Sequence, residues 1–68
     1  MNLLNFLKRS LFIAEDVKKG EALTSKNVRS VRPGFGIAPK YLAEILGKRA
    51  KIDLAFGTPL AFEHIQGY

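Results

Sequence analysis

Asp16-Val17-Lys18-Lys19-Gly20-Glu21-Ala22-Leu23 is the stretch that decides the fold, because the chain contains it twice. Written as a pattern, Asp16-Val17-x-x-Gly20-x-x-Leu23 matches Asp53-Leu54-x-x-Gly57-x-x-Leu60. The match continues in Asn27-Val28 against His64-Ile65, at a constant offset of thirty-seven residues without a gap. Two copies are too few for a stacked solenoid. They can instead pack about a pseudo-two-fold axis, each offering a strand–turn–strand to the other. Within a copy the aspartate accepts backbone N–H groups and the glycine supplies the left-handed turn position. The repeat also gives His64 a structural place, that of Asn27, so no catalytic or ligand role is assigned to it.

Working outward from the first copy, Ser10-Leu11-Phe12-Ile13-Ala14 is a short apolar run ended by Glu15-Asp16, which reads as a buried strand entering a turn. Glu21–Thr24 reads as a second short strand. The segment Thr24–Val28 reads as a turn or single helical turn capped by Thr24 or Ser25. Residues 1–9 form a linker or leader ahead of the domain at 10–68. Leu3, Leu4, Phe6 and Leu7 stand near helical spacing there, followed by Lys8 and Arg9. They either cover an edge of the fold or end a connector from a preceding domain. That leading stretch has no basic start and no cleavage site of the kind a secretory signal carries.

Between the copies lies Arg29-Ser30-Val31-Arg32-Pro33-Gly34-Phe35-Gly36-Ile37-Ala38-Pro39. Pro33 pushes Arg32 toward an extended backbone. Gly34 and Gly36 are free to take positive φ. The segment reads as a shaped loop that presents the cationic Arg32 from a stiff base to an anionic or polyhydroxylated ligand. Phe35 and Ile37 either face a partner and ligand or close the domain's own core. Pro39 then opens the one clear helix, with Leu42, Ile45 and Leu46 on one face and Gly47 at its end. Lys48 and Arg49 read as solvated charges at that helix end, and Lys18 and Lys19 as a solvated turn.

The composition narrows the function. Sixty-eight residues make one small domain. With no cysteine, neither a disulfide nor a thiolate metal site is available as a staple, and with His64 the single histidine a zinc or iron site is not expected. The net charge is +5, from eleven Lys and Arg against six Asp and Glu. These charges are dispersed, and no nucleic-acid-binding signature accompanies them, so nucleic acid is not an expected partner. No apolar run approaches the roughly eighteen residues of a membrane span, so no membrane partner is expected.

A family resemblance rests on Arg9-Ser10-Leu11, Glu15–Glu21, Leu23-Thr24, Asn27–Ser30, Arg32-Pro33-Gly34, Gly36-Ile37, Pro39 and Leu46-Gly47-Lys48. Together these resemble the C-terminal antifreeze-like, or SAF, domain of the N-acylneuraminate (sialic acid) synthase family, a domain similar to type III fish antifreeze protein. Tyr41, Ile45–Lys48 and Gly57–Leu60 resemble its pseudaminic acid synthase branch. The resemblance implies a mainly β, irregular β-clip fold with short strands, one short helix, 3₁₀ turns and a pseudo-two-fold. It implies a preceding (β/α)₈ barrel that condenses phosphoenolpyruvate with an N-acylated amino sugar, aided by Mn or Mg. The domain itself would need no cofactor and be catalytically silent. It would cover the active site of the partner subunit in a cytoplasmic homodimer. Arg32 would then bind the sugar, supported by Pro33, Gly34, Phe35 and Gly36. The acylated sugar itself, sialic, legionaminic or pseudaminic precursor, stays open.

Two alternatives without catalysis stand beside this one. A free-standing carbohydrate-binding module is the first. Ice binding is the second, suggested by the fold and by Ala22 and Thr24. It is opposed by Arg49 and Lys51, whose strongly hydrated charges resist close ice contact.

Overall fold

The computed structural model describes residues 3–68. Regular structure is sparse. A short helix α1 (Leu3–Leu7) precedes two strands, β1 (Ser10–Ile13) and β2 (Val28–Val31). A 3₁₀ turn (Pro39–Tyr41) leads into α2 (Leu42–Ile45), and a second 3₁₀ turn covers Phe62–His64. None of these helices is long and apolar enough to cross a membrane. The strands form a two-stranded antiparallel sheet in which Leu11 faces Ser30 and Ile13 faces Val28.

Backbone groups outside the sheet are paired in large part by exchange between the two copies. Val17 N donates to Leu54 O at 2.8 Å and Leu54 N to Val17 O at 2.7 Å. Around this pair several contacts come in mirrored pairs. Asp16 Oδ1 accepts from Phe56 N, and Asp53 Oδ1 from Lys19 N, both at 2.7 Å. Gly20 N donates to Ala50 O and Gly57 N to Ile13 O, both at 2.8 Å. Single bridges join Ala22 to Arg49 and Phe12 to Pro59. Gly20 and Gly57 take φ of +87° and +86°, the left-handed geometry that an L side chain resists.

This exchange corrects one expectation. Glu21–Thr24 is not a regular strand; it meets residues 47–50 through the Ala22–Arg49 bridge, with Leu23 N donating to Lys48 O, Gly47 N to Leu23 O and Ala50 N to Glu21 O. The true partner of β1 is Val28–Val31, the start of what the sequence presents as loop. The turn at 24–27 forms as expected from Thr24. Its Oγ1 accepts from Lys26 N at 3.2 Å, while Asn27 Oδ1 accepts from Thr24 N at 2.8 Å. His64 repeats the role of Asn27, its Nδ1 accepting from Ala61 N at 3.0 Å.

The core lies between the copies. Leu11, Ile13, Val17, Leu23, Ile45, Leu54, Leu60 and Ile65 are buried there. The expected helix is one 3₁₀ turn and one α turn, and it buries Ile45. Lys48 and Arg49 are not free charges: Lys48 Nζ sits 5.4 Å over the Tyr68 ring, and Arg49 Nη1 donates to Gly20 O at 2.7 Å. Tyr68 packs on Phe62 at 4.8 Å and donates its hydroxyl to the Glu44 carboxylate.

Two measurements test this picture. His64→Asn keeps the acceptor and should change stability by less than about 0.5 kcal/mol, whereas His64→Ala should cost about 1 kcal/mol in urea unfolding. The Glu44 carboxylate, by accepting the hydroxyl proton and repelling a phenolate, pushes Tyr68 up to about 12. A folded-state value above the unfolded one means the contact helps below pH 10 and is lost as pH rises through 12. Phenolate absorbance should show a tyrosine ionising near pH 12 in the folded chain, and Glu44→Gln should return it toward 10.

Candidate functional site

Ser10 organises the loop after β2. It is 1% exposed, and its hydroxyl donates to Pro33 O at 2.7 Å while accepting from Gly36 N at 3.0 Å. One buried oxygen thus ties both ends of the Pro33–Gly36 bend to the first residue of β1. The chain then leaves between the copies: Leu11 N donates to Ile37 O and Ile37 N to Leu60 O, both at 2.8 Å. The Arg32–Pro33 peptide is cis.

Gly36 is required here by space and not by φ. Neither Gly34 nor Gly36 takes the positive φ that the sequence allows. A Cβ on Gly36 would stand 2.5 Å from Leu11 O and 3.0 Å from both Leu60 N and Leu60 O. All three are backbone atoms of the core pairing, with no flexible end to swing aside. Gly34 is half-buried within the same bend.

The two apolar residues of the loop divide. Ile37 joins the core, at 6% exposure. Phe35 does not: it is 53% exposed and meets Phe6 edge-on, with ring centroids 6.1 Å apart. The alternative of Phe35 as a core residue fails because Ser10 and Gly36 fill the space beneath the bend with hydrogen-bonded backbone.

Arg32 is exposed at the head of this bend. Its Nε donates to Leu7 O, the last residue of α1, at 2.9 Å. Arg9 Nη1 reaches Ser30 O at 3.1 Å. α1 therefore lies against the loop, with Leu4, Phe6 and Leu7 exposed rather than covering an edge of the core. Val31, at the end of β2, is exposed as well. The result is a cationic side chain on a fastened backbone, with large apolar side chains on the segments around it. Among the described residues no three His, Cys, Asp or Glu side chains come together to hold a metal.

Sequence reasoning placed Arg32, Pro33, Gly34, Phe35 and Gly36 on one loop, and they share it. It missed Ser10, whose signal was a polar residue opening an otherwise apolar run. It also missed the tie between α1 and Arg32, which joins residues twenty-five positions apart and has no local pattern.

Residues 8–66 match the SAF domain. The chain belongs to that family. It is 46% identical over 61 residues to the pseudaminic acid synthase of Helicobacter pylori, across 90% of this chain and 18% of that protein. To the N,N'-diacetyllegionaminic acid synthase of Legionella pneumophila it is 37% identical over 60 residues, across 88% of this chain and 17% of that protein. The chain therefore spans under a fifth of the length of these relatives. Its fold is that of the antifreeze-protein-like domain in human N-acetylneuraminic acid phosphate synthase, with a TM-score of 0.80 at 17% identity, covering 87% of this chain and 76% of that one. The SAF domain has the small, mainly β, antifreeze-like architecture that the resemblance implied.

The anchoring of the loop can be tested by stability. Ser10→Ala leaves Gly36 N–H and Pro33 O without their shared partner, and should cost about 1–3 kcal/mol. Gly36→Ala must displace core backbone and should cost at least about 2 kcal/mol. Denaturant midpoints check both, with Gly34→Ala as the comparison; equal midpoints for Gly34→Ala and Gly36→Ala would contradict the close approach.

Proposed function

We propose that the chain is the substrate-capping, dimer-bridging domain of a nonulosonate synthase. In this reading a (β/α)₈ barrel condenses phosphoenolpyruvate with an N-acylated amino sugar, with manganese or magnesium held by the barrel. The SAF domain of one subunit covers the mouth of the barrel in the other. Arg32 then hydrogen-bonds the sugar. The domain itself performs no bond-making step, and the enzyme works in the cytoplasm as a soluble homodimer.

The observation that carries this reading is the exposed Arg32 on a loop pinned by Ser10. Its backbone is already ordered, so little entropy is lost when a ligand binds. Its guanidinium stays charged and presents planar donors that fit a carbonyl or a pair of hydroxyls. The surroundings support an interface as well. Leu4, Phe6, Leu7, Val31 and Phe35 are exposed apolar side chains on segments that meet near Arg32. Apolar surface of this kind marks a contact face. The rim of the partner's barrel would cover it. The higher identity to a pseudaminic acid synthase, 46% against 37% for the legionaminic relative, favours a pseudaminic-type amino sugar as substrate.

Arg32→Ala in the full-length synthase should raise the amino-sugar KM, or lower kcat/KM, by roughly ten- to a hundredfold, the value of a charged hydrogen bond. The KM for phosphoenolpyruvate should change little. Unaltered steady-state kinetics would remove Arg32 from the site.

A further inference from the structure

We infer that α1 is the positioning element of Arg32: the Leu7 carbonyl holds Nε, so that the two Nη groups are presented end-on to the substrate. The inference rests on the substrate role of Arg32 proposed above, and adds which edge of its guanidinium is used and what aims it.

The helix leaves that carbonyl free for the purpose. Lys8 N bonds to Leu4 O at 3.0 Å and closes the last turn, so Leu7 O has no helical successor to accept from. An arginine is suited to such an orphan carbonyl at a helix C-terminus. The side chain has five N–H donors, one on Nε and four on the Nη atoms. With Nε committed to Leu7, the side-on fork through Nε is blocked and the end-on pair remains.

Two further contacts make the bracket. Arg9 Nη1 fixes the carbonyl of Ser30, ahead of Arg32. Phe6 packs its ring edge on Phe35, after it, at an interplanar angle of 66°. The Ser30 carbonyl before Arg32, the Phe35 ring after it and the Arg32 Nε itself are thereby all tied to residues 6–9. Phe6 is a positioning residue in this scheme, since it reaches the substrate through Phe35 and Arg32.

Two experiments test it. In the 68-residue chain, ¹⁵N relaxation and water exchange of the Arg32 Nε–H should report a group as ordered as the backbone, with the exposed Arg29 as internal reference. Phe6→Ala should speed that exchange by about fivefold or more, with the Leu11 and Leu60 amides unchanged. In the full-length synthase Phe6→Ala should raise the amino-sugar KM by roughly three- to tenfold with kcat and the phosphoenolpyruvate KM intact, and Phe6→Tyr should restore it. The effect should vanish in an Arg32→Ala background, because the two residues act through one group. An Arg32 Nε–H as mobile as that of Arg29 overturns the inference. So does a Phe6→Ala effect that simply adds to that of Arg32→Ala, or normal kinetics in Phe6→Ala where Arg32→Ala is impaired. If Arg32→Ala is itself unimpaired, the functional proposal falls, and the exchange measurement alone decides whether α1 orders the side chain.

Discussion

The reciprocal pair between Val17 and Leu54 is the constraint on which the structure turns. A chain of this size buries only about 60% of its unfolded surface, and without cysteine it has no covalent staple. Its two regular strands are four residues each. Buried peptide groups must nevertheless be paired, because an unsatisfied one costs about 1–3 kcal/mol. The chain meets that demand by making two similar segments satisfy each other. The Val17–Leu54 exchange sets their separation, the two aspartates close the turns across the axis, and the apolar residues between them become the core. A hydrogen bond in one half thus depends on the geometry of the other.

Much of this was legible because it repeats. Aspartate, glycine and leucine at a fixed offset carry the turn chemistry and the core positions of both copies, and His64 could be read from Asn27. What failed was pairing. Glu21–Thr24 has the alternation of a strand, but its partner is the distant segment 47–50, and the two form an isolated bridge and not a regular ladder. Arg29-Ser30-Val31 looks like loop because Pro33 and Gly34 follow closely, yet it pairs with β1 in full register. Strand partners are long-range facts, and a four-residue segment has too little periodicity to announce them. The helix at Pro39 was the opposite case, since its start, stripe and stop are all local.

The candidate loop was legible in its members and not in its mechanics. Gly36 draws attention as a residue of unusual backbone freedom, but its role is absence of a side chain where Leu11 and Leu60 pass. The difference is invisible in sequence, where one letter stands for both reasons. Ser10 shows the same limit. A serine in an apolar strand suggests nothing until the structure puts Pro33 O and Gly36 N on either side of its hydroxyl. The charges behaved similarly. Arg49 and Lys48 look like helix-end solvation, yet one satisfies the Gly20 carbonyl and the other lies over an aromatic ring.

The two copies differ in the residues that follow their shared pattern. In the second copy the pairing of Ala50 with Ile65 matches that of Ile13 with Val28, and Tyr68 beyond it folds back on Phe62 and Glu44. In the first copy β2 runs to Val31 and the exposed Arg32 follows it. Symmetric contacts are shared equally by both halves and serve stability. The Arg32 bend stands outside that exchange and has its own support, from Ser10 beneath the bend and α1 beside it. Ser10 fastens the bend and α1 fastens the arginine itself. Their cost in ordered side chains is explained if the guanidinium must be held in place before its ligand arrives.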